Sequence, residues 1–323
     1  PDTAVSLAGG WGWFTHAEVL SRYAPPRVVP AADIPASVMA RLTAPRPAMA
    51  GLTLDRPRIM GILNTTPDSF SDGGQHNAVP DALRVAQEMV TAGADILDIG
   101  GESTRPGADF VPVSEEITRS APVIAALRGA GLHTPISIDT RKAAVAEAAV
   151  SAGANLVNDV SGFTFDPALG PLCQKLALPV CVMHAQGDPA TMHLDPQYDN
   201  VLLDVFDALE RQISMLEVSG IPRGAILADP GIGFGKTQDH NLALLARLSL
   251  FHALGTPILL GVSRKRFIGT IGNAPQAQDR APGSIAVALA GLGQGVQMIR
   301  VHDVDDTRQA VALWHAAYFG SIL

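Results

Sequence analysis

The sequence has few cysteines, few aromatic residues and no long apolar run. Cys173 and Cys181 are the two cysteines in 323 residues, which argues against a disulfide framework and fits a reducing compartment. The chain shows neither the roughly 18 continuous apolar residues of a membrane span nor the basic and apolar regions of a signal peptide. These absences lead us to expect a cytoplasmic protein without a membrane partner.

The sequence also has little positive charge. It holds 23 Lys and Arg residues against 31 Asp and Glu residues, which gives a formal net charge of -8 at pH 7. Because no run is rich in Lys or Arg, nucleic acid and anionic membrane surfaces are poor candidate partners. A small anionic ligand remains compatible with this balance, since it needs only a local basic cluster.

The chain does contain enough apolar sequence for a large core. Hydrophobic residues make up 47% and charged residues 17%, and the length suits one large α/β barrel or two smaller domains. Residues 1–55 hold Pro-dense pieces and no long periodic pattern. We therefore predict an N-terminal extension over residues 1–55 that packs on a main domain over residues 56–323.

Short aliphatic or β-branched runs recur through the main domain, and each interval between them has room for a helix. The eight runs are RIMGIL (58–63), DILDIG (95–100), PISID (135–139), NLVND (155–159), PVCVM (179–183), AILAD (225–229), PILLGV (257–262) and VQMIRV (296–301). Apolar strands that alternate with amphipathic helices predict a parallel sheet covered on both faces. Eight repeats in about 270 residues favour a closed (β/α)8 TIM barrel over an open doubly wound sheet, and no G-x-G-x-x-G follows the first run.

The predicted strands end in polar side chains. These are Asn64, Glu102 to Arg105, Asp139, Asn158, Asp159, His184, Asp229, Ser263 to Lys265, Arg300, His302 and Asp303. In a parallel barrel all these ends lie on one face. We therefore expect them to converge on one pocket between loops rich in Gly and Pro, where function usually resides.

Each of these residues also has a structural interpretation when taken alone. Asp139 could cap the helix that follows it, and His184 or His302 could be a buried structural histidine. The segment GIGFG (231–235) could be only a tight turn. No nucleophile elbow and no zinc-like spacing is visible, so nucleophilic and zinc chemistry are not indicated.

The polar set divides into two chemical groups. Carboxylates and amides can read the hydrogen-bonding edge of a flat heterocycle; this group is Asp139, Asn158 and Asp229. Basic side chains can hold phosphate; this group is Arg105, Arg264, Lys265, Arg300 and His302. Asn64 could add an oxygen ligand to Mg²⁺, which usually binds through few protein groups together with substrate phosphates. A pocket with a heterocycle at one end and a diphosphate at the other suggests a transferase.

The motifs resemble the dihydropteroate synthase family, folate-pathway enzymes inhibited by sulfonamides. In order along residues 58 to 318 they are MGILNTTPDSFSDGG, DIGGESTRPGA, SIDTRK, NLVNDVSG, VMHAQGDP, LADPGIGFGK, LLGVSRKRFIG and IRVHDV. The resemblance implies a (β/α)8 barrel and a homodimer. It implies that p-aminobenzoate is joined to 6-hydroxymethyl-7,8-dihydropterin diphosphate, with Mg²⁺, to give 7,8-dihydropteroate and pyrophosphate.

The resemblance also implies a role for each matching residue. The pterin pocket corresponds to Asp139, Asn158, Asp229 and Lys265, and the Mg²⁺ ligand to Asn64. The diphosphate contacts correspond to Arg105, Arg300 and His302, with Thr104 beside them. The p-aminobenzoate surroundings correspond to Phe70, Pro106, Phe234, Ser263 and Lys265. In an SN1-like mechanism the C–O bond breaks first and the arylamine traps a pterin-stabilised cation, with Asp139, Lys265, Arg300 and His302 as the catalytic set.

Two other functions share this pattern in part. Pterin-binding methyltransferases that pass a methyl group to a corrinoid resemble the Asn and Asp positions, but they do not need the SRK and RVHD anion cluster. A non-catalytic pterin-binding paralogue should lose a loop or an anion residue. Here Asn64, Arg105, Lys265, Arg300 and His302 are all present, which favours the synthase.

Overall fold

The computed structural model describes residues 4–65, 78–103, 110–187, 191–192 and 194–322. Its first part contains short elements: strands β1 (Val5–Ser6), β2 (Trp13–Phe14), β3 (His16–Val19) and β4 (Arg27–Pro30), followed by helix α1 (Ala36–Thr43). β1 pairs with β2 and β3 with β4, both antiparallel. No helix in the described parts of the chain is long and apolar enough to cross a membrane.

Eight strands of one parallel sheet follow. They are β5 (Arg58–Asn64), β6 (Ile96–Gly100), β7 (Ile136–Asp139), β8 (Leu156–Asp159), β9 (Val180–Met183), β10 (Ile226–Asp229), β11 (Leu259–Gly261) and β12 (Met298–Val301). The helices between and after them are α2 (Ala78–Thr91), α3 (Val113–Gly129), α4 (Ala143–Ala152), α5 (Leu169–Lys175), α6 (Val201–Val218), α7 (Gln238–Ala246), α8 (Arg266–Ile271), α9 (Ala281–Gly293) and α10 (Val304–Phe319). Each of the eight predicted runs corresponds to one of these strands; seven contain the whole strand, and β5 continues one residue beyond its run to Asn64.

The sheet closes into a barrel. Its strand order is β10-β9-β8-β7-β6-β5-β12-β11, and a parallel bridge between Ala228 and Ile258 joins the two ends of that order. The backbone N–H of Ala228 donates to the carbonyl of Pro257 at 2.9 Å across the same seam. The predicted (β/α)8 TIM barrel is therefore confirmed, with all strand carboxyl ends on one face.

The helical segment before β11 is divided in two. The Ala- and Leu-rich segment 239–255 forms α7 and then a separate 3-10 turn over Leu248–Leu254, because the backbone of Arg247 leaves the helical region at φ -136° and ψ 38°. α7 begins with a capping box in which the Thr237 hydroxyl accepts from the backbone N–H of His240 at 3.2 Å. A helix that is capped in this way has a defined start, and here it directly follows the GIGFG loop.

Two apolar clusters lie on opposite faces of the sheet. The larger combines outward strand residues such as Ile99 and Val182 with helix residues such as Leu127 and Val205, so it fills the space between barrel and helices. Among the described residues, the smaller cluster contains none from a helix. It occupies the barrel interior near the strand amino ends, and its strand members are Met60, Ile96, Leu156, Cys181, Leu227, Leu259 and Met298. Because strand side chains alternate between faces, the interior changes from this apolar floor to a polar layer at the mouth.

The N-terminal extension supplies the last part of that floor. Met49 and Leu54 are buried within the interior cluster, with Leu52 packed against it, and Met49 and Leu52 form an antiparallel bridge that closes the turn between them. Further out, Trp11 Nε1 donates to the carbonyl of Leu292 at 2.8 Å. The extension therefore packs on the barrel and seals its amino end, while the division of the chain at residue 55 stays a prediction.

Leu54→Ala is expected to lower the free energy of unfolding by about 2–5 kcal/mol, the usual range for removing a buried leucine side chain. Leu54 is only 2% exposed and lies at the closed end of the barrel. Urea denaturation should show the loss, whereas Val218→Ala at the end of α6, where the residue is 91% exposed, should change stability little. Equal stabilities for the two variants would contradict the sealing role of the extension.

Candidate active site

Strand register brings three of the predicted residues, with Gly100 between two of them, side by side at the mouth. Asn64 pairs with Gly100, Gly100 with Asp139, and Asp139 with Asn158. A Cβ atom at Gly100 would lie 3.5 Å from Asp139 Cβ and 3.9 Å from Asn64 Oδ1. The missing side chain at Gly100 therefore leaves space between the carboxylate and the amide.

On the opposite side of the mouth, a glycine again lies between two polar residues. Asp229 ends β10, and a Cβ atom at Gly261 would lie 3.6 Å from its Oδ2 atom. Gly261 pairs in turn with Arg300 on β12. A second glycine thus leaves room between a buried carboxylate and a basic side chain, so the two walls enclose an open polar layer above the apolar floor.

Arg300 connects the carboxylates of this layer. Its Nη2 donates to Asp139 Oδ2 at 2.8 Å and its Nε to Asp98 Oδ2 at 2.5 Å. The same Asp98 oxygen accepts from Asn158 Nδ2 at 3.1 Å. Asp98 was not among the predicted site residues. The sequence signal for it was an acidic residue inside an otherwise apolar run, two residues before Gly100, and the structure buries this residue completely.

The electrostatics of this network favour a carboxyl group that titrates near neutral pH. Burial raises the pKa of Asp139 to about 7, while Arg300 opposes that rise and the Asp98 charge adds to it. Burial works against a charged Arg300, but Asp98 and Asp139 raise the pKa of its guanidinium. Arg300 is therefore charged at all relevant pH values, and Asp139 can change protonation state next to it.

Asp229 and Lys265 form the other polar pair. Burial raises the pKa of Asp229, and the backbone N–H of Gly231, which donates to its Oδ1 at 2.7 Å, works in the opposite direction. Lys265 also lowers the pKa of Asp229 through its charge. Lys265 Nζ lies 4.0 Å from the centroid of the Phe234 ring, a cation–π contact. Predicted pterin-pocket and p-aminobenzoate residues therefore meet here.

Ser263 and His302 are in contact at the ends of β11 and β12. Ser263 Oγ lies 2.9 Å from His302 Nδ1 and accepts from the backbone N–H of His302 at 3.1 Å. Arg264 lies between Ser263 and Lys265, with φ 58°, and forms a double ion pair with Asp303. The charge of Arg264 is thus compensated, and its left-handed backbone turns the two neighbouring side chains of the SRK segment.

Some strand-end residues serve the scaffold instead. Asp159 accepts from the backbone N–H groups of Ser161 and Phe163, both at 2.7 Å, and so closes the turn after β8. Asp139 does not cap α4, because Asp166 Oδ2 accepts from the Ala143 N–H at 2.8 Å. The capping alternative for Asp139 is therefore wrong. The predicted residues Phe70, Thr104, Arg105 and Pro106 lie outside the described residues.

A buried ion network next to the mouth was also missed by the sequence interpretation. Lys142 Nζ donates to Glu102 Oε1 at 3.0 Å, to Glu116 Oε2 at 2.6 Å and to the Val111 carbonyl at 2.6 Å. Arg141 Nη2 donates to the other Glu102 oxygen at 3.0 Å. Lys142 therefore ties Glu102 and Val111 together, which fixes the chain on both sides of residues 104–109.

Asn64 is the candidate metal ligand. Within the described residues no group of three or more His, Cys, Asp or Glu side chains could hold a metal ion. The set that is present, one amide oxygen beside a carboxylate, does not suit a metal bound by protein alone. It does fit Mg²⁺, which commonly takes one or two protein oxygens and completes its shell with substrate phosphates and water.

Comparisons with known proteins identify the family. Residues 60–302 match the family described as pterin binding enzymes. The dihydropteroate synthase of Synechocystis sp. is 44% identical over 257 residues, which cover 78% of this chain and 89% of the relative. The chain belongs to the dihydropteroate synthase family. This membership decides against the corrinoid methyltransferases.

Solved dihydropteroate synthase structures share the fold. The Xanthomonas albilineans enzyme with 4-aminobenzoic acid has a TM-score of 0.79 at 45% identity, covering 84% of this chain and 97% of that one. The same enzyme in complex with 7,8-dihydropteroate has a TM-score of 0.76 at 42% identity, covering 83% and 96%. As a member of this family, the present chain is a transferase of folate biosynthesis that condenses a pterin with p-aminobenzoate.

Proposed function

We propose that the polar layer at the barrel mouth joins p-aminobenzoate to 6-hydroxymethyl-7,8-dihydropterin diphosphate by an SN1-like route. The observation that carries the proposal is the geometry around Arg300, whose guanidinium bonds Asp139 and lies across Gly261 from Asp229. A basic group for a diphosphate is thus set between two carboxylates suited to a pterin. The products are 7,8-dihydropteroate and pyrophosphate.

The carboxylate of Asp229 reads the aminopyrimidine edge of the pterin. Its Oδ1 accepts from Gly231 N–H, which fixes the plane of the carboxylate and leaves Oδ2 on the side of Gly261. A carboxylate can accept parallel N–H bonds from an N–C–NH2 edge as it does from arginine. Asn158 and Lys265 complete the pocket with amide and ammonium groups.

Arg300 and His302 hold the diphosphate. The hydrogen bonds of Arg300 to described residues use two of the five N–H donors of a guanidinium, so donors remain for phosphate oxygens. Ser263 fixes the ring of His302 through Nδ1. Thr104 and Arg105 would add to this anion site, and Mg²⁺ bound with the diphosphate at Asn64 would neutralise part of the leaving group's charge.

The reaction begins with cleavage of the C–O bond between the pterin methylene carbon and the diphosphate. The bonding electron pair leaves with pyrophosphate, and positive charge spreads from the methylene over the dihydropterin. The ionised Asp139 stabilises this charge, since a buried anion acts strongly at short range. The amine of p-aminobenzoate then forms the C–N bond with its lone pair and releases a proton to water.

The second substrate lies against the Phe234 and Lys265 pair, with Ser263 beside it. The ring of p-aminobenzoate can pack on Phe234, and its carboxylate can approach the ammonium of Lys265 and the hydroxyl of Ser263. Phe70 and Pro106 complete these surroundings in the proposal. The amine is then directed toward the methylene carbon in the centre of the mouth.

The value of kcat/KM for the pterin substrate is expected to rise with pH through about 7, the pKa to which burial raises Asp139. Only the ionised form stabilises the cation, and below this pKa the carboxyl is protonated. Asp139→Asn should remove this limb of the pH profile and leave a low, flat rate. A wild-type limb that stays unchanged in Asp139→Asn would assign it to another group.

The same raised pKa has a consequence for stability. The unfolded Asp139 carboxyl titrates near 3.8 and the folded one near 7, so between these values the folded protein holds the extra proton. The contribution of Asp139 to the free energy of unfolding is therefore largest below about pH 4 and is lost as the pH rises to 7.

The function is tested by pyrophosphate release from the dihydropterin diphosphate with Mg²⁺, with and without p-aminobenzoate. Release that depends on p-aminobenzoate and accompanies dihydropteroate formation supports the proposal. Tight pterin binding without release would indicate the non-catalytic paralogue. Omission of Mg²⁺ in a third arm, with chelator present, should reduce the rate if Asn64 serves a metal-bound diphosphate.

We further propose that the chain forms a homodimer and acts in the cytoplasm. Large apolar side chains are exposed on α10, including Leu313 and Tyr318, and such side chains commonly pack against a second subunit. Both cysteines are free and buried, in keeping with a reducing compartment. Sedimentation equilibrium gives the mass in solution, and a monomer at all concentrations would contradict the dimer.

A further inference from the structure

Lys236 is a buried cation enclosed by acceptors. Its Nζ donates to the carbonyls of Gly231 at 2.9 Å, Phe234 at 3.0 Å and His184 at 3.2 Å, and lies 2.9 Å from His184 Nδ1. No salt bridge joins it to a carboxylate among the described residues. We call these four acceptors on three residues the Lys236 cage. Three carbonyls around one cation are what a bound ammonium or alkali ion would require.

The loop around Lys236 is shaped so that only glycine fits at two points. Gly231 has φ +67°, and a Cβ atom there would lie 1.9 Å from the His184 carbonyl oxygen. Gly235 has φ +61°, and its Cβ would lie 2.3 Å from the carbonyl oxygen of Gln186. The loop 231–235 is therefore folded directly onto the end of β9, with its carbonyls turned toward one another. Such an arrangement of buried carbonyls needs hydrogen-bond donors, and a positive charge between them stabilises it strongly.

Two members of the loop face the active site on their other side. Gly231 accepts from Lys236 through its carbonyl and donates through its N–H to Asp229 Oδ1. Phe234 accepts from Lys236 through its carbonyl, and its ring lies under Lys265 Nζ. Lys236 is thus connected to Asp229 through Gly231. It is connected to Lys265 through Phe234.

We propose that Lys236 is a positioning residue whose ammonium group serves as a tethered cation for the loop 231–235. It holds the loop in the form that orients Asp229 toward the pterin and Phe234 toward Lys265. Its effect on turnover rests on the proposed function, whereas the cage itself can be tested without turnover. Lys236 does not touch the reacting atoms.

Lys236→Ala should open a cage that a small free cation can fill. We expect kcat/KM to fall at least tenfold, with higher KM values for both substrates, and ammonium or methylammonium chloride to restore a substantial part of the loss. Sodium chloride at equal concentration should not. The melting temperature of Lys236→Ala should rise with ammonium more than with sodium, which is a readout independent of the reaction.

Two further variants separate the cage from a general effect. Lys236→Met fills the space without a charge, so it should lose activity and gain nothing from ammonium. Lys175→Ala removes an exposed lysine from α5 and should respond like wild type. Measurements are made below pH 7, because burial lowers the pKa of Lys236 to about 7 and both lysine and ammonium are then charged.

Each outcome bears on the proposal. Selective rescue of Lys236→Ala with no rescue of Lys236→Met supports the tethered cation. Full activity in Lys236→Met, or equal effects of ammonium and sodium on the melting temperature of Lys236→Ala, would overturn it. If Lys236→Ala does not fold, the KM values of Lys236→Met decide, and unchanged values overturn the positioning role. Wild-type enzyme without turnover would contradict the proposed function while the melting test of the cage still stands.

Discussion

Asp139→Ala is expected to abolish condensation while the protein stays folded. The side chain is buried beside Arg300 and is the carboxylate proposed to face the developing cation. One preorganised charge of this kind is worth about 10²–10³ in rate, and alanine also removes a pterin contact. Turnover of the purified variant, measured as dihydropteroate formed with both substrates, checks the expectation.

The matched control is Asp166→Ala. Asp166 is the residue that accepts from the N–H of Ala143 at the start of α4, so its loss should cost about 1 kcal/mol of stability, as a lost helix cap does, and leave turnover intact. If Asp139→Ala kept near-full turnover, the cation-stabilising role would be wrong. If Asp166→Ala lost turnover as well, damage to α4 would explain both variants.

The barrel could be predicted because its strands have two clear sequence properties. A strand buried on both faces of a parallel barrel is a continuous apolar run, and most such runs here stop at a polar residue. The runs that end at Asn64, Asp139 and Asp229 therefore predicted both a strand and the position of a site residue. Shared placement on one face then followed from topology alone.

The supporting residues could not be predicted in the same way. Asp98 acts through Arg300, which lies 202 positions further along the chain, and no local pattern reports that contact. In the sequence, Lys236 follows a segment that is typical of a tight turn. The Lys236 cage forms only because the folded loop contacts His184. Met49 and Leu54 come from an irregular segment without periodicity, so their burial in the barrel floor had no signal.

Asp98 and Asp139 together explain how Arg300 can lie beside a carboxylate and still bind an anion in the proposed mechanism. In the proposed mechanism Arg300 meets an anionic diphosphate, yet it lies beside Asp139, which is proposed to stabilise a cation. Asp98 fixes the guanidinium from below through Nε, so the donors that remain keep their direction. The negative charge of Asp98 also raises the pKa of Asp139, against the effect of Arg300.

Arg300→Ala is expected to weaken binding of the diphosphate substrate far more than binding of p-aminobenzoate. Loss of a charge-assisted contact to phosphate should raise the KM for the dihydropterin diphosphate and lower kcat/KM by about 10²-fold, the order of one electrostatic contact in a transition state. Because Arg300 lowers the pKa of Asp139, its removal should also move the pH limb upward. Initial rates with each substrate varied in turn, over a range of pH, measure both effects.

Arg308→Ala is the matched control for that experiment. Arg308 lies on α10 and bonds Gly93 and Asp95 before the start of β6, at the end of the barrel opposite the mouth. The Arg308→Ala variant should be less stable than the wild type, and its KM values for both substrates should be unchanged. Arg300→Lys keeps the charge without the planar fork, so it should recover part of the diphosphate affinity. An equal rise of both KM values in Arg300→Ala would contradict the anion site, since a general distortion of the mouth affects both substrates alike.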